Sequence, residues 1–354
     1  MITNTVFYSP ITPMYENRAP GTIITGSPGS GKSYFMQNLT VNCFQQEIIP
    51  IVLDPKNDFE KLLPICPGLK LVDISKKESL DPFINIENID TNFIIQLIET
   101  ICGGLTQEQN VAIMPIVDDY IKMSRNGGAT FLKLANYMYS SRNIHVQQIG
   151  TMLKANQNNE YGKVLFNEEK SGLRLNKEPS IIKLFGLPMP KVDNMADWNR
   201  EERFGSAIIM IIIKMLRQLL NGHNAIPVVL FIDESHIILE NKAIYKIVEE
   251  FLILGRSLNV ATILASQNVN HFPDDFSNYV SDRFQFRSSK KEIKEFLRRF
   301  NEDSTISEAS YINFGVNCNT GEAIFIDRNQ RIGTIKVRSD LALTTNAIEN
   351  NAKK

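Results

Sequence analysis

The chain is short of several features that would have settled its class at once. It has four cysteines in 354 residues. They are Cys43, Cys66, Cys102 and Cys318, and no two are spaced as a CxxC pair. That excludes the common zinc and dithiol redox motifs and suits buried thiols in a reducing compartment. No sign of charge dominates: 38 Lys and Arg stand against 39 Asp and Glu, a formal net charge of −1. No global basic field draws the protein onto nucleic acid, although a local basic surface stays possible. Long apolar runs are also missing. The most apolar stretch, Ala207–Leu220, is too short for a bilayer and is interrupted by Lys214 and Arg217. Met1–Pro20 is polar and has no apolar core of a signal peptide. The expectation is a cytoplasmic protein without direct membrane insertion, free to dock on a membrane complex through a partner.

What is present is a hydrophobic fraction of 43%, enough for a large core and too high for disorder. The patterning alternates. Thr22–Thr25 is a β-branched run that feeds a Gly-rich loop, and Ser33–Phe44 follows with helical spacing. Ile48–Leu53 and Leu69–Ile74 read as buried strands. From about residue 90 the character turns helical, at Phe93–Cys102, Gln107–Ser124, Thr130–Met138 and Val146–Ala155, and Asn156–Lys177 reads as loop. The alternation then resumes with strands Ser180–Leu187, Pro227–Ile232 and Val260–Ala265 and helices Arg203–Leu220 and Ala243–Leu254. Late strands are expected at Arg283–Arg287, Glu322–Ile326 and Ile332–Val337. The fold class is therefore α/β, a mostly parallel sheet flanked by helices, with an all-α insertion. The expected organisation is 1–89 and 179–343 as one nucleotide-binding domain, 90–178 as the inserted helical subdomain, and 344–354 as a frayed tail.

Gly26-Ser27-Pro28-Gly29-Ser30-Gly31-Lys32-Ser33 matches the phosphate-binding loop pattern in full, with a strand before and a helix after. Glycines let the backbone wrap phosphate with its N–H groups inward, and the helix that opens there presents its positive end. Lys32 is positioned to reach the β- and γ-phosphates, Ser33 to ligate Mg²⁺, and Tyr34 to flank the nucleotide. Val228–Ile232 ends in Asp233 and Glu234, two carboxylates at the tip of a buried strand. Asp233 is the candidate Mg²⁺ ligand and Glu234 the candidate general base. Gln267 follows another buried strand and could sense the γ-phosphate, or be an ordinary strand-end residue. Arg256 could be an arginine finger acting across a subunit boundary, or a solvated helix-end cation.

Taken in order, G-S-P-G-S-G-K-S, V-L-D-P-K-N-D, the helical stretch, F-I-D-E-S-H and G-R-S-L-N-V-A-T-I-L-A-S-Q resemble the FtsK/HerA superfamily of RecA-like motors. Within it the sequence is most similar to the ATPase domain of the large conjugation and type IV secretion ATPases, over roughly residues 20–340. Those proteins carry a D-P-K-G-D-like segment, here Asp54–Asp58 with Asn57 in place of glycine, and an N-P-like segment, here Asp81-Pro82-Phe83. The resemblance implies ATP rather than GTP, a homo-hexameric ring with ATP between subunits, Arg256 as a trans finger and Gln267 as sensor. It further implies DNA translocation in conjugation, phage or plasmid transfer, or the powering of a secretion machine through protein partners. The long N-terminal docking domain of the secretion ATPases is not seen ahead of the loop at Gly26, which favours the stand-alone DNA motor.

Other features read as structural. His236 has no second metal ligand at ligand spacing and reads as a surface or neighbouring-shell histidine. The basic region 287–299 reads as a solvated helix face, or a DNA-facing one. Trp198 and the aromatics Tyr137–Tyr139 read as core or as base-stacking platforms. Arg328 and Arg331 are candidates for a cis arginine that some members of the resembled family bring to the nucleotide.

Overall fold

The computed structural model describes residues 8–74, 79–124, 127–167, 172–190, 194–239, 241–301 and 308–338. The expected tail lies outside the described residues. Among the described residues nine strands form one sheet: β1 (Gly21–Thr25), β2 (Ile49–Asp54), β3 (Lys70–Asp73), β4 (Ser180–Lys183), β5 (Val228–Ile232), β6 (Val260–Ser266), β7 (Val280–Phe286), β8 (Glu322–Ile326) and β9 (Ile332–Lys336). The order across the sheet is β3-β4-β2-β5-β6-β1-β7-β8-β9. The first seven strands in that order are parallel, and β8 and β9 close the far edge antiparallel.

The helices are α1 (Thr12–Tyr15), α2 (Lys32–Gln45), α3 (Pro82–Asn85), α4 (Thr91–Cys102), α5 (Gln107–Ser124), α6 (Phe131–Tyr139) and α7 (Ile144–Asn156). They continue as α8 (Gly162–Leu165), α9 (Arg200–Leu219), α10 (Ser235–Leu239), α11 (Lys242–Leu258), α12 (Lys290–Phe300) and α13 (Glu308–Asn317). The insertion between β3 and β4 carries α4 to α7, as the apolar periodicity of 90–155 requires. Each of α4, α6 and α7 opens on an Asp, Thr or Asn side chain that accepts a backbone N–H of the first turn.

Neighbouring residues of each central strand face opposite sides of the sheet. Ile23, Ile51, Leu230 and Leu264 join one core cluster with α9 and the insertion helices. Ile24, Val52, Phe231 and Ile263 join another, with Phe35, Met36 and Leu39 of α2. Both faces are therefore covered, which is why β5 and β6 are apolar without alternation. The insertion shares the first cluster with the sheet. Asp81 fastens its entrance: one carboxylate oxygen accepts from Phe83 N at 2.8 Å and the other from Phe131 N at 2.7 Å.

Several expectations need correction. The stretch 156–177 contains the short helix α8, and β4 stops at Lys183. Glu308–Asn317 forms a helix that its weak periodicity did not announce. The basic region 287–299 leads into the amphipathic α12, whose Lys290, Lys291, Lys294 and Arg298 are exposed as a solvated helix face. Arg299 is not on that solvated face. It is folded inward and donates to the carbonyl oxygens of Val269 (3.0 Å), Phe272 (2.7 Å) and Pro273. Trp198 is core, whereas Tyr137 and Tyr139 are exposed.

Candidate nucleotide site

The parallel strands leave the sheet together at their C-terminal ends, where open α/β sheets place ligands. Thr25 is in register with Ser266, and Leu53 with Ile232. Gly26, Gln267, Asp233 and Asp54 therefore stand along one edge. The strand of the acidic pair, β5, is separated from the loop strand β1 by β6 alone.

The loop from Gly26 to Gly31 is held by its neighbours. Ser27 N donates to Arg287 O at 2.9 Å, and Gly321 N donates to Ser30 O at 3.0 Å. Thr320 Oγ1 donates to Gly29 O at 3.3 Å. Two glycines are needed for close approach. A Cβ on Gly26 would lie 2.7 Å from Phe286 Cβ, and one on Gly31 would lie 2.7 Å from Gly321 N. Gly31 also has φ +108° and opens α2 in the left-handed region. Lys32 is buried, and its Nζ donates to Gly26 O at 2.6 Å and Ser27 O at 3.2 Å. Burial pulls its pKa down, against the opposing pull of Glu234 and Asp233. Ser33 and Tyr34 follow on the first turn of α2, both half-buried.

Asp233 is buried at 2% exposure. Its Oδ1 accepts from Glu234 N at 3.0 Å, while Oδ2 is buried without a hydrogen-bond partner. Burial first, and then the charge of Glu234, pushes its pKa up to about 7. A carboxylate in that position is under-satisfied, and a hard cation would satisfy it. The donor set of Asp233 with the Ser33 hydroxyl is all oxygen, the chemistry that Mg²⁺ takes.

Glu234 is buried at 4% exposure and adopts φ +44°, an uncommon conformation for a non-glycine residue. Its carboxylate is held on both oxygens. Oε1 pairs with Lys56 Nζ, and Oε2 accepts from Gln267 Nε2 at 3.4 Å and lies 3.4 Å from His236 Nδ1. Burial alone would raise its pKa, but the hydrogen bond and charge of Lys56 outweigh that and leave it lowered. Lys56 shows the reciprocal shift: burial opposes its charge, and Glu234 raises it.

Lys56 reaches the site because Asp54 shapes the turn that carries it. Asp54 accepts from the backbone N–H groups of Lys56, Asp58 and Phe59 at 3.2, 3.1 and 2.9 Å. Asn57 stands in that turn with φ +63°. Asparagine is among the non-glycine residues that tolerate this region best, which accounts for Asn57 where the resembled segment has glycine.

Lys32, Asp233, Glu234 and Gln267 are thus brought to one edge. Arg256 is not. It sits in the last turn of α11, at the opposite end of the sheet, and its guanidinium donates to Asn17. β6 has seven residues, so about 20 Å of strand separates it from Gln267. Arg328 and Arg331 also sit at that far end, paired with Glu16 and Asp327, so neither serves as a cis arginine here.

This edge belongs to a P-loop ATPase, and comparison with known proteins places it further. Residues 14–341 match the AAA-like domain family. The chain belongs to that family. Its fold is similar to VirB4 of Thermoanaerobacter pseudethanolicus, with a TM-score of 0.71 at 15% identity over 92% of this chain and 91% of that one. It is similar as well to the plasmid coupling protein TrwB. The TrwB structure with a non-hydrolysable ATP analogue gives 0.60 at 12% identity, over 91% and 86%. TrwB with ADP and Mg²⁺ gives 0.58 at 12%, over 94% and 87%. None of the curated proteins matches. This AAA-like domain thus shares the fold of VirB4 and TrwB. Among the described residues, no helix is long and apolar enough to cross a membrane.

Sequence reasoning passed over five residues around the site. Lys56 was visible only as part of D-P-K-N-D, and its meeting with Glu234 depends on β2 lying beside β5. Ser266 and His271 gave no signal of their own. The Thr320-Gly321 clamp on the loop comes from a residue pair almost 300 positions away.

Proposed function

We propose that this domain hydrolyses ATP and works as a subunit of a homo-hexameric ring motor that moves DNA. The observation that carries the reading is the convergence of Lys32, Asp233, Glu234 and Gln267 at the C-terminal tips of adjacent parallel strands. Backbone N–H groups of Gly26–Lys32 and the Lys32 ammonium bind the phosphates. Ser33 and Asp233 hold Mg²⁺, which neutralises phosphate charge when bound. Glu234 takes a proton from the attacking water, and Gln267 orients that water or senses the γ-phosphate.

The position of Arg256 supports a ring. About 20 Å from its own site, it is out of reach of that phosphate, so a finger role for it requires a neighbour packed head to tail and release from Asn17. TrwB, a conjugative coupling protein of the same fold, was seen with ADP and Mg²⁺, with an ATP analogue and with a GTP analogue, which supports a purine nucleotide with Mg²⁺ here.

The test is ATP turnover and mass in solution, with and without single- or double-stranded DNA. Turnover stimulated by DNA, with a ring of about six chains, supports the motor. Absence of both DNA binding and stimulation overturns the DNA reading. The near-neutral net charge of −1 favours a second reading, an energiser of a secretion or assembly machine that acts through protein partners, and that result would move the proposal there.

A further inference from the structure

Glu234 does not stand alone with Lys56 and Gln267. Behind it runs a chain of polar side chains that the hydrolytic reading leaves unused. His236, on the first turn of α10, has Nδ1 3.4 Å from Glu234 Oε2 and 3.3 Å from Ser266 Oγ. Ser266, the last residue of β6, has its Oγ 2.6 Å from Nδ1 of His271. The two imidazole rings lie 4.7 Å apart, centroid to centroid. Ser266 is fully buried, and His236 is about three-quarters covered.

Chemistry fixes the direction of this chain. An ionised carboxylate only accepts, so Nδ1 of His236 carries the proton and donates to Glu234 Oε2, sharing it with Ser266 Oγ. Ser266 gives its own hydroxyl proton to Nδ1 of His271, which is then the acceptor. The chain thus reads His271, Ser266, His236, Glu234, and its hydrogens diverge from His236, one way to Glu234 and the other through Ser266 to His271. Its far end is anchored. His271 closes the turn Val269–His271 that follows Gln267, and Arg299 of α12 clamps the carbonyls of Val269, Phe272 and Pro273 around it.

The geometry points to His236 and His271 as positioning residues for Glu234: joined through Ser266, they orient the carboxylate of the base and tie its orientation to the turn behind Gln267. This rests on Glu234 being the base. The arrangement has a built-in reversal. A proton taken from solvent onto Nδ1 of His271 makes that nitrogen a donor. Ser266 then accepts from it, and its freed hydroxyl proton is available to Nδ1 of His236. His236 in turn moves its proton to Nε2, and Glu234 Oε2 loses a donor. A proton placed on His236 instead gives Glu234 a charged partner and makes it a weaker base. Burial, then the nearness of His271, then Lys56 and Lys32 hold His236 below its ordinary 6.5, and Glu234 opposes them. Either proton lowers turnover on the acid side.

The experiment is kcat and KM for ATP across the neutral and mildly acid range, with ATP-analogue binding and thermal unfolding recorded for each variant. His236→Phe is expected to lower kcat about tenfold or more, as loss of a hydrogen bond to a charged group does, with little change in KM. His236→Asn keeps an amide N–H where Nδ1–H stands and restores most of kcat. His271→Asn and Ser266→Ala flatten the acid limb of the kcat profile. If His236→Phe fails to fold, His236→Asn and Ser266→Ala carry the test through the pH profile. The inference is overturned if His236→Phe turns over like the parent, if His236→Asn falls as far as His236→Phe, or if the acid limbs of His271→Asn and Ser266→Ala superimpose on the parent's. Glu234→Gln tests the base separately: retained turnover there removes the base assignment, whatever the histidine variants do.

Discussion

Lys56 and Glu234 form an ion pair that joins the turn after β2 to the tip of β5. The glutamate end is buried at 5% side-chain exposure, and the lysine end is 45% exposed. The pair therefore matters chiefly to Glu234, which without it would be a buried carboxylate lacking its cation.

Replacing Lys56 by Met is expected to destabilise the protein at neutral pH by about 1–3 kcal/mol, discounted for the exposed lysine end. The sign with pH follows from the shifts. In the parent, Glu234 lies below its ordinary 4.5 and adds stability above that value. That stability is lost as pH falls through the folded pKa. In the variant, burial dominates and raises the pKa, so stability falls as pH rises past 4.5. Urea unfolding at pH 4 and pH 7 checks this, the larger loss being expected at pH 7.

Asp233 has the opposite sign. Its pKa is raised from 3.8 to about 7, so its burial costs stability progressively as pH rises between those values. Asp233→Asn is expected to melt higher than the parent without Mg²⁺ at pH 8. The same variant should lose the Mg²⁺-dependent part of the stabilisation by an ATP analogue. Thermal melts with nucleotide, with and without EDTA, check both arms. Mg²⁺ affinity in the parent should rise with pH up to about 7, because binding displaces the proton.

Gly29 and Gly31 separate two kinds of glycine requirement. Both have positive φ, but a Cβ on Gly29 meets nothing within 4 Å, whereas one on Gly31 meets the backbone of Gly321. Gly29→Ala is expected to cost about 1–2 kcal/mol, the left-handed term alone. Gly31→Ala should cost more and should weaken ATP-analogue binding, because the loop must part from β8. Thermal unfolding and analogue titration distinguish them.

Asn57→Gly should be neutral or slightly stabilising, since glycine adopts φ +63° freely. Asn57→Val should cost about 1–2 kcal/mol and displace Lys56 from Glu234. Turnover and chemical unfolding of the two variants check this.

Much of this protein was legible in its sequence. The loop Gly26–Ser33, the buried runs of β5 and β6 and the pair Asp233-Glu234 are local signals, because chain neighbours dictate phosphate wrapping, strand burial and the place where a carboxylate emerges. The helical periodicity of the insertion is local in the same sense. Tertiary structure decided what depends on neighbours across the sheet. Strand order put Lys56 beside Glu234 and made Ser266 and His271 its hinterland. It sent Arg256 to the far end, out of reach of its own site. It explained Asn57, whose φ is set by a turn that Asp54 folds, and it brought Gly321 against Gly31. Spacing along a chain fixes which face a residue takes, but only packing fixes which face it meets.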